Sequence, residues 1–262
     1  MDNVLANWQA TYYLLPFLHF CAIYSLIKLL SNKKLRFRNH FIIYLGSILL
    51  LFVSDDVITY LYIDPPIGLL LYTESLNLLL ATIESYTFYS FFTSIINTII
   101  IKKIFKLLKA GTIILLVGAF YLLFSMNSLR EFQILADLLY TVQLLVLIFP
   151  GIWHIYEVHA EKAPYNHKDL ILSLGFVAYC LLSVPFFSIA TWLRNIYAEG
   201  YYMLFSLHFF CLGCLCISIA YYAQLENIGL SPGFLRKLKR ELFVGKLTDN
   251  VRDVLAQPLK SE

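Results

Sequence analysis

Seven apolar segments alternate with short polar segments along this chain, and the basic residues collect in every second polar segment. The apolar segments cover approximately residues 8–30, 41–63, 69–100, 111–127, 132–156, 169–193 and 201–225. A helix needs about 20 apolar residues to cross the hydrocarbon core of a bilayer. The pattern therefore predicts an all-α fold, a bundle of seven transmembrane helices.

Composition agrees with a membrane protein and leaves little chain for a soluble domain. Hydrophobic residues make up 60% of the sequence and charged residues only 14%, whereas about a quarter of the residues in soluble domains are charged. We predict two regions, a transmembrane domain over 1–228 and a basic cytoplasmic tail over 229–262.

The distribution of lysine and arginine predicts the orientation of the bundle. Of the 20 basic residues, all but Arg130 and Arg194 fall on one side when the seven segments are threaded through a membrane. Lysine and arginine in short loops stay on the cytoplasmic side. We therefore expect the N-terminus outside and the C-terminus in the cytoplasm, with the chain as a multi-pass membrane protein.

Catalytic and cofactor motifs are missing from the sequence. It contains no Gly-x-Ser-x-Gly, no phosphate-binding loop and no Gly-x-Gly-x-x-Gly, and its seventh segment has no lysine for a retinal Schiff base. The five cysteines all lie in apolar segments, where small packing residues are expected. We predict no enzyme activity, cofactor, metal site or disulfide, and no binding of nucleic acid.

Five ionisable residues on four predicted helices fall at one depth, roughly 8–12 Å below the outer surface at 1.5 Å per residue. They are Asp55, Asp56, Glu74, Asp137 and His208. Ionisable groups inside a membrane are costly and frequently functional. Three interpretations stay open for this acidic layer: mutual bracing of the bundle, a solvated pocket for a cation or polar ligand, and a cluster that titrates together.

The third helix is the most polar and is predicted to be central. Asn77 and Glu84 are seven residues apart and so lie on nearly the same helix face. The same helix carries many hydroxyl side chains, including Tyr72, Thr73, Ser75, Tyr86, Tyr89 and Ser90. A carboxyl at mid-bilayer must find partners inside the bundle. We expect Glu84 to bond to these hydroxyls or to Asn77, and we include both residues with the acidic layer as candidate ligand contacts.

A short amphipathic helix is predicted after the seventh segment. Ser231 can cap it, Pro232 suits its first position, and Phe234, Leu238 and Leu242 share one face away from the basic residues. Such a helix, over 232–243, would lie along the inner membrane surface. The tail is also a candidate docking surface for a cytoplasmic or membrane protein.

Three local patterns are distinctive: Asn77-x6-Glu84 with nearby aromatic residues, Leu174-Gly175 through Tyr179 followed by Pro-Phe-Phe, and Tyr-Leu-Leu-Pro16-Phe. Together they resemble the seven-helix sensor modules of Bacteroidetes-type bacteria. The resemblance covers about 8–228 and implies a stand-alone, multi-pass sensor of a bacterial inner membrane. The tail contains no kinase histidine motif and no DNA-binding helix pair, so output would pass through a partner.

The sequence thus predicts a receptor-like protein of the lipid bilayer that senses a small ligand, a cation or pH through a polar pocket in its outer half. Two alternatives remain. One is a small-solute permease or a proton- or cation-coupled permease, and the other is a structural subunit of a membrane complex.

The asymmetry of basic residues gives a direct topological prediction. A reporter fused after Glu262 should read as cytoplasmic, and a reporter inserted in 64–68 should read as external, because that loop carries no basic residue. Paired alkaline phosphatase and fluorescent protein fusions measure this. A C-terminal fusion that reads as periplasmic would contradict the orientation.

Overall fold

A computed structural model describes residues 2–61, 67–125, 129–160, 166–196 and 198–224. These residues form seven α-helices: α1 Asp2–Ser31, α2 Arg38–Leu61, α3 Ile67–Ile95, α4 Ile99–Ser125, α5 Leu129–His159, α6 His167–Ile196 and α7 Ala198–Ala223. The expected all-helical bundle is confirmed for this part of the chain. The tail helix predicted over 232–243 lies outside the described residues.

Length and composition mark several of these helices as membrane-spanning. Within the described ranges, five helices (α1, α4, α5, α6 and α7) are long and apolar enough to cross a bilayer. α2 contributes a shorter apolar stretch, Arg38–Ser54, and α3 carries Glu74 and Glu84 among its hydroxyl side chains. The chain is therefore a multi-pass membrane protein.

Six helices form a closed ring, and the remaining helix, α4, packs outside it. Going round the ring, α1 packs on α2, α2 on α3, α3 on α5, α5 on α6, α6 on α7, and α7 on α1. α4 leaves the ring and packs against α3 and α5. A single compact unit covers Met1–Ala223.

The connection between α3 and α4 differs from the sequence prediction. α3 ends at Ile95 and α4 begins at Ile99, so Lys102, Lys103, Lys106 and Lys109 lie on the first turns of α4 instead of in a loop. Lys109 Nζ donates a hydrogen bond to Ser90 Oγ at 2.7 Å and lies 3.7 Å from the centroid of the Tyr86 ring. Lys109 therefore ties this part of α4 to α3.

The α1–α2 connection, the α3–α4 turn and the start of α6 lie at the same end of the bundle, which we call the basic end. Asn32 Nδ2 donates to the Ala223 carbonyl at 3.0 Å, and Arg38 Nε donates to the Leu29 carbonyl at 2.9 Å. Both bonds satisfy carbonyls at helix C-termini, which have no partner within their own helix. Side chains of the loop therefore tie together the ends of α1 and α7.

The centre of the bundle is aromatic, and α3 contributes more of its buried rings than any other helix. Its second half is fully buried at Glu84, Ser85, Phe88, Tyr89, Phe91 and Phe92. Phe88 stacks on Phe176 of α6 with ring centroids 3.8 Å apart. The second half of α3 therefore lies in the core, while the helix as a whole is one of the six in the ring.

Gly151 gives a stability prediction for the contact between α5 and α6. A Cβ at this position would lie 2.5 Å from Val177 Cγ2, and a β-branched valine has little rotamer freedom to yield. Gly151→Ala should therefore destabilise the protein by roughly 1–3 kcal/mol. Thermal unfolding in a mild detergent measures this loss.

The matched control is Gly46→Ala on α2, where a Cβ meets nothing within 4 Å. This variant should unfold at the wild-type temperature or slightly above it, since alanine favours a helix over glycine. Equal unfolding temperatures for Gly151→Ala and the wild type would contradict the close approach of α5 to α6.

Candidate functional site

Glu84 is a fully buried carboxyl near the middle of α3. Tyr44 OH donates to its Oε1 at 3.1 Å, and Tyr140 OH donates to its Oε2 at 2.7 Å. Gln143 Nε2 also donates to Oε2, at 3.3 Å. Both carboxyl oxygens thus have partners, all of them neutral hydroxyl or amide groups.

A fourth helix joins the cluster through a tyrosine pair. The hydroxyls of Tyr140 and Tyr179 are 3.2 Å apart, and Gln143 Nε2 also donates to the Ala81 carbonyl at 3.0 Å. We call Glu84, Tyr44, Tyr140, Gln143 and Tyr179 the Glu84 cluster. Its members come from α3, α2, α5 and α6, so one polar network links four helices of the ring.

Aromatic rings cover the Glu84 cluster on the side of the basic end. The Tyr44 ring meets Phe88 at 5.5 Å. Phe88 contacts Phe176 and Phe92, and Phe92 contacts Phe91. All four phenylalanines are fully buried. This basic-side aromatic layer separates the cluster from the α3–α4 turn.

A second group of rings covers the opposite side of the cluster. Tyr140 packs edge-on against Phe187 at 4.3 Å, and Phe187 meets the His208 ring at 4.9 Å. His208 also stacks on Phe186 at 5.4 Å. The Glu84 cluster is therefore a polar layer held between two aromatic layers.

The residues predicted from the sequence fall in different surroundings. The inward orientation of Glu84 is confirmed, but its partners come from other helices. Asn77 is exposed and is not a partner of Glu84, because two turns of helix, about 10 Å along the axis, separate the two side chains. The expectation of bonding within the third helix is thus wrong.

The acidic layer stays a prediction. Glu74 and Asp137 are half-buried, and both take part in polar or electrostatic interactions. His208 is buried and its Nδ1 lies 2.9 Å from Ser183 Oγ of α6, so rings and a hydroxyl surround it. The side chains of Asp55 and Asp56 lie outside the described part of the structure.

Sequence reasoning missed the other four members of the Glu84 cluster. Tyr44, Tyr140 and Tyr179 are three of 19 tyrosines, and nothing in their local sequence distinguishes them. Gln143 carried a usable signal, because an amide is rare inside a segment as apolar as 132–156 and has to find partners there.

Three buried polar atoms have no hydrogen-bond partner in the described structure. They are Ser85 Oγ, Tyr89 OH and Gln143 Oε1. A buried polar group without a partner costs about 1–3 kcal/mol. Gln143 is the important case, since its amide nitrogen binds Glu84 while its oxygen is left free.

Glu157 of α5 is a second fully buried carboxyl, with a structural role. The backbone N–H groups of Asn97 and Thr98 donate to its two oxygens at 2.7 and 2.9 Å, and Trp153 Nε1 donates at 2.9 Å. These N–H groups lie at the start of α4, where helices leave donors unpaired and favour negative charge. Glu157 therefore caps α4 from a neighbouring helix and fixes the turn between α3 and α4.

The described residues contain no group of three or more histidine, cysteine or acidic side chains that could hold a metal ion. No protein-family model, curated protein or solved structure matches this chain. The Glu84 cluster is therefore identified from its geometry alone.

Removing one hydroxyl tests the network. Tyr140→Phe deletes the bonds to Glu84 and Tyr179 but keeps the ring that packs on Phe187. Hydrogen bonds between membrane helices average about 0.6 kcal/mol, so two of them should be worth roughly 1–2 kcal/mol. Unfolding by heat or denaturant in detergent measures the loss.

Tyr121→Phe on α4 is the control, because the Tyr121 side chain is 77% exposed. It should leave stability at the wild-type value. If the two variants were equally stable, Tyr140 would not bond to Glu84 as the structure has it.

Proposed function

We propose that this chain is a receptor-like protein of a bacterial inner membrane, with seven spans, the N-terminus outside and the basic end in the cytoplasm. The Glu84 cluster serves as its sensing centre. A ligand that alters the bonds of the cluster shifts the helices it joins, and the shift reaches the basic end. A cytoplasmic or membrane partner reads the change, with the tail over 229–262 as its docking surface.

The observation that carries this proposal is the span of the network. One carboxyl bonds to side chains of α2 and α5, and the tyrosine pair extends the network to α6. α3 continues from Glu84 to the turn at 96–98, which Glu157 fixes to α5. A change at Glu84 therefore has a short, packed route to the basic end.

The same geometry favours sensing over transport. A permease needs a polar path past Glu84 to the basic end, where His154 lies buried and bonded to Ser173 Oγ at 2.8 Å. The basic-side aromatic layer stands between the two, with Phe88, Phe92 and Phe176 fully buried. In this conformation the interior is apolar where a solute would have to pass.

Three features support the orientation and the sensor class. Lys28, Lys33 and Lys34 accompany the α1–α2 connection, and further lysines lie on α4, which suits a cytoplasmic face. The resemblance to stand-alone sensor modules rests on Asn77-x6-Glu84. The Glu84 cluster gives the glutamate of that pattern a physical role.

Hydrogen–deuterium exchange of the full chain in nanodiscs tests the coupling. Glu84→Gln keeps the size of the side chain but places an N–H₂ group against hydroxyl and amide donors. Backbone exchange should become roughly tenfold faster at 32–37 and 96–98, as expected for a local loosening of about 1.4 kcal/mol.

Glu74→Gln makes the same chemical change ten residues earlier on α3 and should leave exchange at the basic end unchanged. Faster exchange confined to the turns next to position 84 would mean that the cluster is a local brace. That outcome, or an equal effect of both variants, would overturn the proposed coupling.

A further inference from the structure

An apolar groove runs between α4 and α5. Its volume is about 440 Å³, within the range of pockets that hold small organic ligands. Nine of its lining residues are apolar or glycine, and the two polar ones are Thr112 and Gln143. The groove exists because α4 packs outside the ring and leaves space beside α5.

The groove faces the bilayer. Its lining residues on α4 fall within the apolar span Ile99–Leu122, and those on α5 fall within Ile134–His159. Leu107 and Leu115 on its wall are 73% and 56% exposed. An occupant would therefore enter from the lipid and would have to be soluble there.

Gln143 connects this groove to the Glu84 cluster. It lines the groove, and its Nε2 donates to Ala81 O and Glu84 Oε2. Both amide hydrogens are thus in use, while Oε1 is buried and has no partner. The group of Gln143 without a partner is therefore a hydrogen-bond acceptor, which an occupant of the groove reaches when the buried carboxamide turns.

We propose that the groove binds an uncharged, membrane-dissolved molecule with an apolar body and one hydroxyl group, which donates to Gln143 Oε1. The inference rests on the proposed receptor function and names the class of its ligand. Aliphatic walls accept the apolar body, and the free acceptor selects a donor over a hydrocarbon. A charged head group has no counter-charge among the lining residues, and burying it would be costly.

Binding at Gln143 would act directly on Glu84. A ligand hydroxyl that turns or draws the carboxamide changes its 3.3 Å bond to Glu84 Oε2. That bond is the longest of the three that Glu84 accepts, so it is the first to yield. The ligand would thereby alter the network that joins α2, α3, α5 and α6.

Photolabelling of the full chain in nanodiscs tests this inference. One probe is a long-chain alcohol that carries a diazirine near its hydroxyl, and the comparison probe is the matching alkane diazirine. We expect the alcohol to label peptides of α4 and α5 about fivefold more than the alkane does, since one neutral hydrogen bond contributes about 1 kcal/mol. Excess unlabelled octadecanol should suppress the labelling.

Two glycines on α4 provide a matched pair of variants. A Cβ at Gly111 or at Gly118 meets nothing within 4 Å, so both positions have room for a side chain. Gly111 lines the groove and Gly118 does not. Gly111→Phe should abolish the competed labelling, and Gly118→Phe should leave it at the wild-type level.

The hydroxyl preference is tested at Gln143 itself. Two variants remove the acceptor: Gln143→Leu, and Gln143→Met, which matches the shape of glutamine better. In both, labelling by the alcohol and by the alkane should agree to within about twofold. If neither Gln143 variant folds, the comparison of Gly111→Phe with Gly118→Phe and the competition by octadecanol still decide whether the groove binds an alcohol.

Three outcomes would overturn the proposal. Equal labelling by both probes, unaffected by Gly111→Phe, would show ordinary lipid in the groove. If labelling appears only after copies of the chain are separated from one another, the groove is normally filled by a helix of a neighbouring protein chain. A preference for the alcohol that persists in both Gln143 variants would place the hydroxyl elsewhere. Each result is independent of hydrogen exchange in Glu84→Gln, which tests the receptor function itself.

Discussion

A carboxyl placed inside a membrane bundle sets the conditions for the rest of this structure. Lipid and packed side chains offer Glu84 no water, so each of its lone pairs has to be satisfied by the protein. The donors come from α2 and α5, and the pair of Tyr140 and Tyr179 adds α6. The separations of these helices from α3 therefore depend on one another.

The two aromatic layers follow from this arrangement. Phe88, Phe92 and Phe176 fill the bundle on one side of the Glu84 cluster, and Phe186, Phe187 and His208 fill it on the other. Rings that interlock at centroid distances of 4–6 Å keep water away from the cluster, which strengthens its hydrogen bonds. The Glu84 cluster is thus a polar layer enclosed by aromatic rings, and a change in its bonding acts on four helices at once.

Because α4 lies outside the ring, the Glu84 cluster lies beside a groove that faces the bilayer. α4 is held to the bundle near its start by Lys109 against Ser90 and by Glu157 against the turn at 96–98. Over the same stretch of α4, between Ile104 and Leu116, the space beside α5 opens into the groove. Gln143 lies between this groove and Glu84, so the groove and the polar layer share one side chain.

The sequence predicted the helical segments and the inward orientation of Glu84, because apolar length and the cost of a charge in lipid are local properties. It placed the end of the third helix too late, since the early start of α4 depends on Glu157, a residue about 60 positions away that caps it. The partners of Glu84 could not be predicted either. Tyr44 and Tyr140 contact Glu84 only because α2 and α5 are the neighbours of α3 in the ring, and the order of helices in the ring is a tertiary property.

The most direct test of the account is a double-mutant cycle between Glu84 and Tyr140, measured as unfolding free energies in lipid nanodiscs. Glu84→Gln, Tyr140→Phe and the double variant isolate the energy of their contact. The account predicts a favourable coupling of about 0.6–1.7 kcal/mol, with the double variant less destabilised than the sum of the single ones. Additive effects of the two substitutions would show that Glu84 and Tyr140 do not interact, and would contradict the Glu84 cluster as the centre of this molecule.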